Sequence, residues 1–212
     1  MRDKKIIKIE SNNEQLILEA AETEFLEKGY NNATTTAIAK KAGVTHAMLH
    51  YYFRTKDNLF QKVFQEKVHL IGDSLYQQLN YDLPFEEVIR KFIEFHFDFI
   101  RQNPQLLNFA YNEVIVNKEN RYFLLDQIRP TILNVLNRMD KFLSDEVSKG
   151  NIRPVKGYEL LMNILSMNVI TFMAFPILKD FMSEQQSEHF ENLINERKES
   201  NVQFILNALK IK

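Results

Sequence analysis

A stretch rich in hydroxyl, imidazole and lysine side chains, TTTAIAKKAGVTHAMLHYYFRTKDNLF, runs from Thr34 to Phe60 and contains no carboxylate before Asp57. Residues 10–27, just before it, carry six glutamates. Hydroxyl and ammonium groups donate hydrogen bonds to phosphate oxygens, whereas carboxylates are repelled by them. The stretch therefore indicates a surface for nucleic acid, although the whole chain has a formal net charge of −1.

Threonines precede the short apolar patches of this stretch and predict helix starts. Thr34 or Thr35 can cap a first short helix, which Gly43 ends by adopting the positive φ of a turn. Thr45 can cap a second helix over residues 46–53. Two short helices joined by a glycine turn are typical of a helix-turn-helix motif, whose second helix enters the major groove of DNA.

The second helix of this motif is expected to have one inward and one outward side. Leu49 and Phe53 are four residues apart and point inward together, which leaves His46, Ala47, His50 and Tyr51 outward. Phosphate contacts are predicted for the hydroxyls of Thr35, Thr36, Thr45 and Tyr51 and for the ammonium group of Lys56. Tyr52 fits either core packing or a backbone contact.

This ordered set of motifs resembles the DNA-binding signature of TetR/AcrR-type transcriptional regulators. The matching residues are, in chain order, Thr35-Thr36, Ala39, Ala42-Gly43-Val44, Leu49-His50-Tyr51-Tyr52-Phe53 and Lys56-Asp57-Asn58-Leu59. The run AAETEFLEKGY at residues 20–30 also resembles the first helix of the family. The resemblance covers about residues 14–60.

The resemblance implies a role for each matched position. It assigns phosphate contacts to Thr35, Thr36, His50, Tyr51 and Lys56, and it places His46, Ala47 and Met48 nearest the base edges. The family usually has tyrosine where His50 stands. An imidazole is shorter and changes its charge near neutral pH, so the phosphate contact at His50 is expected to be weaker or pH-dependent.

The fold is predicted to be all-α, because only 5 Gly and 5 Pro in 212 residues favour long uninterrupted helices. We expect a three-helix DNA-binding domain over residues 1–55, of which 1–12 form a flexible tail. Residues 56–212 are expected to form a helical effector-binding and dimerisation domain. The resemblance further implies a homodimeric repressor that leaves its operator DNA when a small apolar or aromatic effector binds.

An aromatic-rich predicted helix, FEEVIRKFIEFHFDFIRQN, is apolar around most of its circumference. Such a helix is buried between others, and plain core packing is the default interpretation. The resemblance raises the alternative of an apolar effector pocket, for which we select the side chains Phe95, Phe99, Phe109, Tyr111 and Phe172. His96 is interpreted as a hydrogen-bonded core histidine, with a polar contact to an effector as the alternative.

Residues 160–178 form an uncharged run of 19 residues, which is close to the length of a membrane-spanning helix. Asn163, Ser166, Asn168 and Thr171 recur through it, so burial in a core or an oligomer interface is the better interpretation. Two amphipathic helices at the end of the chain can pair with their symmetry mates as a four-helix bundle. We therefore predict a homodimer without a membrane segment.

Catalytic and metal-binding motifs are missing from the sequence. Cysteine is absent, and the five histidines show no HExxH or clustered ligand spacing. We expect no enzymatic activity, no cofactor and a cytoplasmic location. An alternative function remains open, in which the same DNA-binding scaffold is a structural or adaptor protein whose large domain binds another protein.

Overall fold

Helices joined by short turns make up the computed structural model, which describes residues 2–79, 82–181 and 190–211. The helices are α1 Arg2–Asn32, α2 Thr35–Lys41, α3 His46–Phe53, α4 Lys56–Gln78, α5 Phe85–Gln102, α6 Pro104–Ala110, α7 Lys118–Ser148, α8 Gly157–Asp180 and α9 Phe190–Leu209, with a π-helical segment Tyr111–Val116 between α6 and α7. No strand occurs in these described ranges, and the all-α class is confirmed.

The first helix is longer than the sequence predicted. Residues 2–12, expected to form a flexible tail, continue the helix that contains Ile17 and Phe25. The physical reason is that no Gly or Pro interrupts this segment before Gly29, so nothing in its backbone stops the helix. Gly29 then takes φ 72° and ψ 169°, which interrupts α1 close to its end.

The predicted caps at Thr34 and Thr45 are confirmed, and Thr55 caps α4 in the same way. Each threonine hydroxyl accepts a hydrogen bond from the backbone N–H three residues further on: Thr34 from Ala37 at 3.2 Å, Thr45 from Met48 at 3.2 Å and Thr55 from Asn58 at 3.1 Å. Gly43 lies in the turn between α2 and α3 with φ 69°. A side chain at this position would be strained by the backbone conformation, so the turn requires glycine.

Two compact units divide the chain. The first comprises Met1–Leu70 and Asn108–Ile128, and the second comprises Ile71–Leu107 and Arg129–Lys212. The functional boundary between residues 55 and 56 stays a prediction.

The first unit has an apolar core that joins α1, α2 and α3. Its fully or almost fully buried side chains include Ile17, Ala21, Phe25, Ile38, Ala39, Leu49, Phe53, Leu59, Phe60 and Leu124. The rings of Phe25 and Phe60 meet edge to face with centroids 5.1 Å apart. Leu49 and Phe53 are buried as predicted, which fixes the outward side of α3.

The core of the second unit is built mainly on α5, α8 and α9. The buried side of α5 consists of Val88, Ile89, Phe92, Ile93, His96, Phe97 and Ile100. This broad stripe packs against α8 and α9. Burial of so much apolar surface is the main stabilising contribution in this unit.

Helix α8 has one buried and one exposed apolar side. Its buried side includes Leu160, Leu161 and Ile164, whereas Met162 and Ile170 are exposed. The helix is long and apolar enough to cross a membrane by length and composition alone, but core helices pass the same test. Its buried side packs in the core of the second unit.

A change of pH is expected to reveal the buried position of His96. Burial lowers the pKa of His96 to about 4, from an ordinary value of 6.5. Between these values the unfolded chain binds a proton that the native protein does not, so stability decreases as the pH falls. We expect the free energy of unfolding to drop by about 2–3 kcal/mol more between pH 7.5 and 4.5 than in a His96→Gln variant. Urea unfolding at both pH values measures the difference, and equal pH dependence in the two proteins would contradict it.

Candidate nucleic-acid interface

The outward side of α3 and its flanks presents most of the predicted DNA-contacting residues to solvent. Thr36, Thr45, His46, Ala47, His50 and Tyr51 are exposed, and Thr35, Met48 and Lys56 are half-buried. The ring of Tyr51 is 74% exposed. The structure therefore brings hydroxyls, imidazoles and small side chains together at the N-terminal part of α3, as entry into a major groove requires.

Two histidines lie next to each other on this surface. The rings of His46 and His50 are 4.5 Å apart between centroids at an interplanar angle of 74°. Nε2 of His46 is 3.0 Å from the hydroxyl of Thr35. This hydrogen bond connects α2 to α3 across the glycine turn.

The orientation of His50 limits what this side chain can do. Its Nδ1 lies 2.8 Å from the backbone carbonyl oxygen of Arg54. A carbonyl only accepts, so Nδ1 carries a proton and Nε2 of the neutral ring is an acceptor. In this orientation His50 donates to a phosphate oxygen only when the ring is protonated.

Lys56, at the first position of α4, is held by groups of the first unit. Its Nζ lies 4.5 Å from the centroid of the Tyr30 ring and 3.4 Å from the carbonyl oxygen of Asn31. Burial lowers the pKa of Lys56, and the carboxylate of Glu113 acts in the opposite direction. The hydroxyl of Tyr30 in turn donates to Asp57. The ammonium group is therefore oriented by contacts with its own protein.

Sequence reasoning left two residues near this surface without a role. Arg54 follows α3 with φ 60° and is exposed, and its backbone carbonyl oxygen lies 2.8 Å from Nδ1 of His50. Glu113 is 3% exposed and accepts a hydrogen bond of 2.9 Å from the backbone N–H of Tyr30. Arg54 belongs to the basic stretch of the sequence, so a place on this surface could be predicted for it. Nothing in the sequence connects Glu113 to Tyr30. Tyr52 is half-buried against the apolar core.

The five predicted effector-binding residues are distributed over both units. Phe95 and Phe99 are half-buried on α5 with stacked rings 6.4 Å apart, and Phe172 packs against another ring of the second unit. Phe109 and Tyr111 belong to the first unit. Phe109 packs between core rings there, and Tyr111 is 51% exposed.

Each unit has a cavity among the described residues. A cavity of about 810 Å³ in the first unit is lined by residues that include Gly29, Asn112, Glu113 and the predicted Phe109. A cavity of about 460 Å³ in the second unit is lined by residues that include Phe85, Glu146 and Leu209. Within the part of the chain that the structure describes, His, Asp and Glu side chains form no group of three able to share a metal ion.

The exposed side of α3, its threonine caps and its glycine turn lie within a recognisable sequence pattern. Residues 17–63 match the model of the family described as "Bacterial regulatory proteins, tetR family". The chain is a TetR-family transcriptional regulator. The three-helix arrangement of the first unit is the DNA-binding domain of this family.

Relatives of this TetR-family regulator match over longer parts of the chain. The Fatty acid metabolism regulator protein of Bacillus subtilis (strain 168) is 23% identical over 137 residues, which cover 65% of this chain and 69% of that protein. The solved structure of FadR from Bacillus subtilis, in complex with stearoyl-CoA, has a TM-score of 0.67 at 18% identity and covers 92% of this chain and 98% of that chain. The solved structure of HlyIIR, a Hemolysin II transcriptional Regulator, has a TM-score of 0.62 at 25% identity and covers 96% of this chain and 99% of that chain. The likeness in fold therefore extends far beyond residue 63.

Proposed function

We propose that this TetR-family regulator is a homodimeric repressor that leaves its operator when an apolar effector binds its second unit. The observation that carries the proposal is the carboxylate-free outward side of α3, where donors and small side chains are exposed together. Such a surface fits the edges of base pairs in a major groove and the phosphates on either side of it.

Two groups of residues have different proposed roles in DNA recognition. His46, Ala47 and Met48 at the start of α3 face the base edges. The phosphate contacts come from Thr35, Thr36, Thr45, His50, Tyr51 and Lys56. Because Lys56 is already oriented by the ring of Tyr30, less side-chain entropy is lost when it contacts a phosphate. His50 adds a contact that strengthens on protonation.

A long apolar chain is the proposed effector class. The FadR structure from Bacillus subtilis contains stearoyl-CoA, and the relative from the same organism is named as a regulator of fatty acid metabolism. In the present chain, Phe95, Phe99 and Phe172 are half-buried rings of the second unit that can contact an acyl chain. Phe109 and Tyr111 belong to the first unit; their role in effector binding stays a prediction that this proposal does not use.

The exposed sides of α8 and α9 are the proposed dimer interface. Met162, Ile170, Met173 and Ile177 of α8 are 47–61% exposed, and Phe204 of α9 is 64% exposed. A large apolar surface on a soluble protein marks an interaction site. A second copy of the chain covers it in an isologous pairing and places two α3 helices on successive major grooves. A role in the dimer interface accounts for the apolar composition of α8 without a membrane-spanning function. We further propose that the protein is cytoplasmic and has no catalytic activity.

Release of DNA by an acyl compound tests this function. A duplex selected from random sequences is labelled, and its binding is followed by fluorescence anisotropy while stearoyl-CoA or, in a separate titration, 1-decanol is added. We expect the affinity for DNA to fall about 10- to 100-fold at saturation, the usual size of an allosteric coupling. Coenzyme A without the acyl chain is the matched control and is expected to have no effect. Unchanged DNA affinity with both stearoyl-CoA and 1-decanol would contradict an apolar effector.

A protein-binding adaptor is the second candidate function. It is favoured by one observation, which is that the exposed apolar side chains of α8 and α9, among them Ile170, Met173 and Phe204, can also contact a protein of another kind. In that case the exposed apolar sides of α8 and α9 bind another protein. Failure of acyl compounds to release DNA, together with a monomeric protein in solution, would favour the adaptor.

A further inference from the structure

Three polar side chains are buried together between the helices of the second unit. His96 of α5, Asn168 of α8 and Asn201 of α9 are 8%, 0% and 1% exposed. The amide nitrogen of Asn168 donates to the carbonyl oxygen of Ile93 at 3.1 Å and to Nδ1 of His96 at 3.0 Å. The amide nitrogen of Asn201 donates to Oδ1 of Asn168 at 2.9 Å. This polar cluster, defined as His96, Asn168 and Asn201, therefore joins α5, α8 and α9.

Two atoms of the polar cluster, Nε2 of His96 and Oδ1 of Asn201, take no part in the hydrogen bonds within it. An amide nitrogen only donates, so Nδ1 of His96 accepts from Asn168 and the proton of the neutral ring is on Nε2. Within the described residues, Oδ1 of Asn201 is buried and has no hydrogen-bond partner. Buried polar atoms in native proteins are almost always paired. The cluster thus offers one donor, the N–H of His96, and one acceptor, the oxygen of Asn201.

Half-buried aromatic rings lie one helical turn away from the polar cluster. Phe99 is three residues after His96 on α5, and Phe172 is four residues after Asn168 on α8, separations that make side chains neighbours on a helix. The ring of Phe172 packs against Phe97 with centroids 4.8 Å apart. Apolar walls with a few convergent polar groups are the usual lining of a small-molecule site.

We propose that His96 and Asn201 are the polar anchor of the effector site, and that the effector places a neutral polar group there. An O–H or N–H of the ligand donates to Oδ1 of Asn201, and a ligand oxygen accepts from Nε2 of His96. This inference rests on the proposed effector-binding function of the second unit. Alcohols and primary amides provide both partners.

A carboxylate is the wrong group for this anchor. It has no donor for Asn201, and it would lose its hydration shell on entering the buried cluster. Burial keeps His96 neutral, since its pKa is lowered to about 4, so the cluster supplies no positive charge to the anion. The site therefore distinguishes neutral head groups from free acids on chains of equal length.

Three ten-carbon probes test the anchor. Isothermal titration calorimetry at pH 8 compares 1-decanol, decanamide and decanoate on the full-length protein. We expect the two neutral probes to bind at least about tenfold more tightly than decanoate. Asn201→Leu and His96→Met are each expected to weaken 1-decanol about tenfold while leaving decanoate unchanged. Asn134→Leu, at an exposed asparagine on α7 of the second unit, is the matched control and should bind like the wild type.

Several results would overturn the anchor. These are equal binding of the three probes to the wild type, no binding of any probe, or an unchanged ratio of affinities in both variants. The wild-type comparison decides the question even if a variant does not fold. DNA release is measured separately by anisotropy: the expected ratio of probe affinities without release contradicts the repressor function but not the anchor. Release by decanoate as effective as release by 1-decanol contradicts the anchor but not the repressor function.

Discussion

Ala47→Glu is expected to lower the affinity of the protein for its selected duplex by about 100-fold or more. Ala47 is exposed at the second position of α3, on the side proposed to enter the major groove. A carboxylate here approaches acceptor atoms of the bases and the phosphates, and it replaces a methyl group that makes no such repulsion. A glutamate in the first turn of a helix is favourable to the helix itself, so the loss will not come from unfolding.

The matched control for this substitution is Thr23→Glu. Thr23 is exposed on α1 of the same unit and lies outside the proposed interface, so it introduces the same charge at a different place. Anisotropy titrations at two salt concentrations and thermal unfolding of both variants give the comparison. If Ala47→Glu and Thr23→Glu bind DNA equally well, the outward side of α3 is not the recognition surface.

Loss of the dimer is the second large effect expected. The double substitution Ile170→Glu with Phe204→Glu places four carboxylates in the proposed interface between two copies. Both side chains are more than half exposed in one copy, at 58% and 64%, so the protomer itself should fold normally. We expect a monomer and a loss of operator affinity of 100-fold or more, because two linked half-sites bind with the avidity of about 10²–10⁴ that a single copy lacks.

Sedimentation equilibrium measures the mass of both proteins directly. Tyr122→Glu is the control, because Tyr122 is 80% exposed but lies on α7 in the first unit. It should remain dimeric and bind the operator like the wild type. A wild-type mass of 25.2 kDa in dilute solution, or a double variant that still forms dimers, would exclude this interface.

Local features of the DNA-binding unit could be predicted from the sequence because their causes are local. Thr34, Thr45 and Thr55 each cap a helix with an N–H only three residues away. Gly43 adopts a positive φ in the turn between α2 and α3. The spacing of Leu49 and Phe53 alone fixes which side of α3 is buried. The resemblance of residues 14–60 to the TetR family then indicates that the outward side of α3 contacts DNA.

Features that depend on distant contacts could not be predicted. Glu113 meets Tyr30 across 83 residues, and His96 meets Asn168 across 72. Neither pair has a signature, because the sequence does not say which helices become neighbours. The assignment of the five aromatic residues to an effector site stays a prediction, and two of them, Phe109 and Tyr111, belong to the first unit. On α5, Phe92 and Phe97 are buried in the core. Aromatic content alone therefore does not distinguish a core helix from a binding site.

The buried contact between Glu113 and Tyr30 has a consequence for how the protein can be dissected. Leu124 is completely buried in the same core as Leu49 and Phe53, and it comes from the same later part of the chain as Glu113. A fragment truncated at residue 70 would keep every residue proposed to contact DNA. It would nevertheless expose apolar surface that Leu124 covers and free the backbone N–H that Glu113 binds. We therefore expect the isolated fragment to be less stable than the same residues in the full chain, because a later segment completes its core.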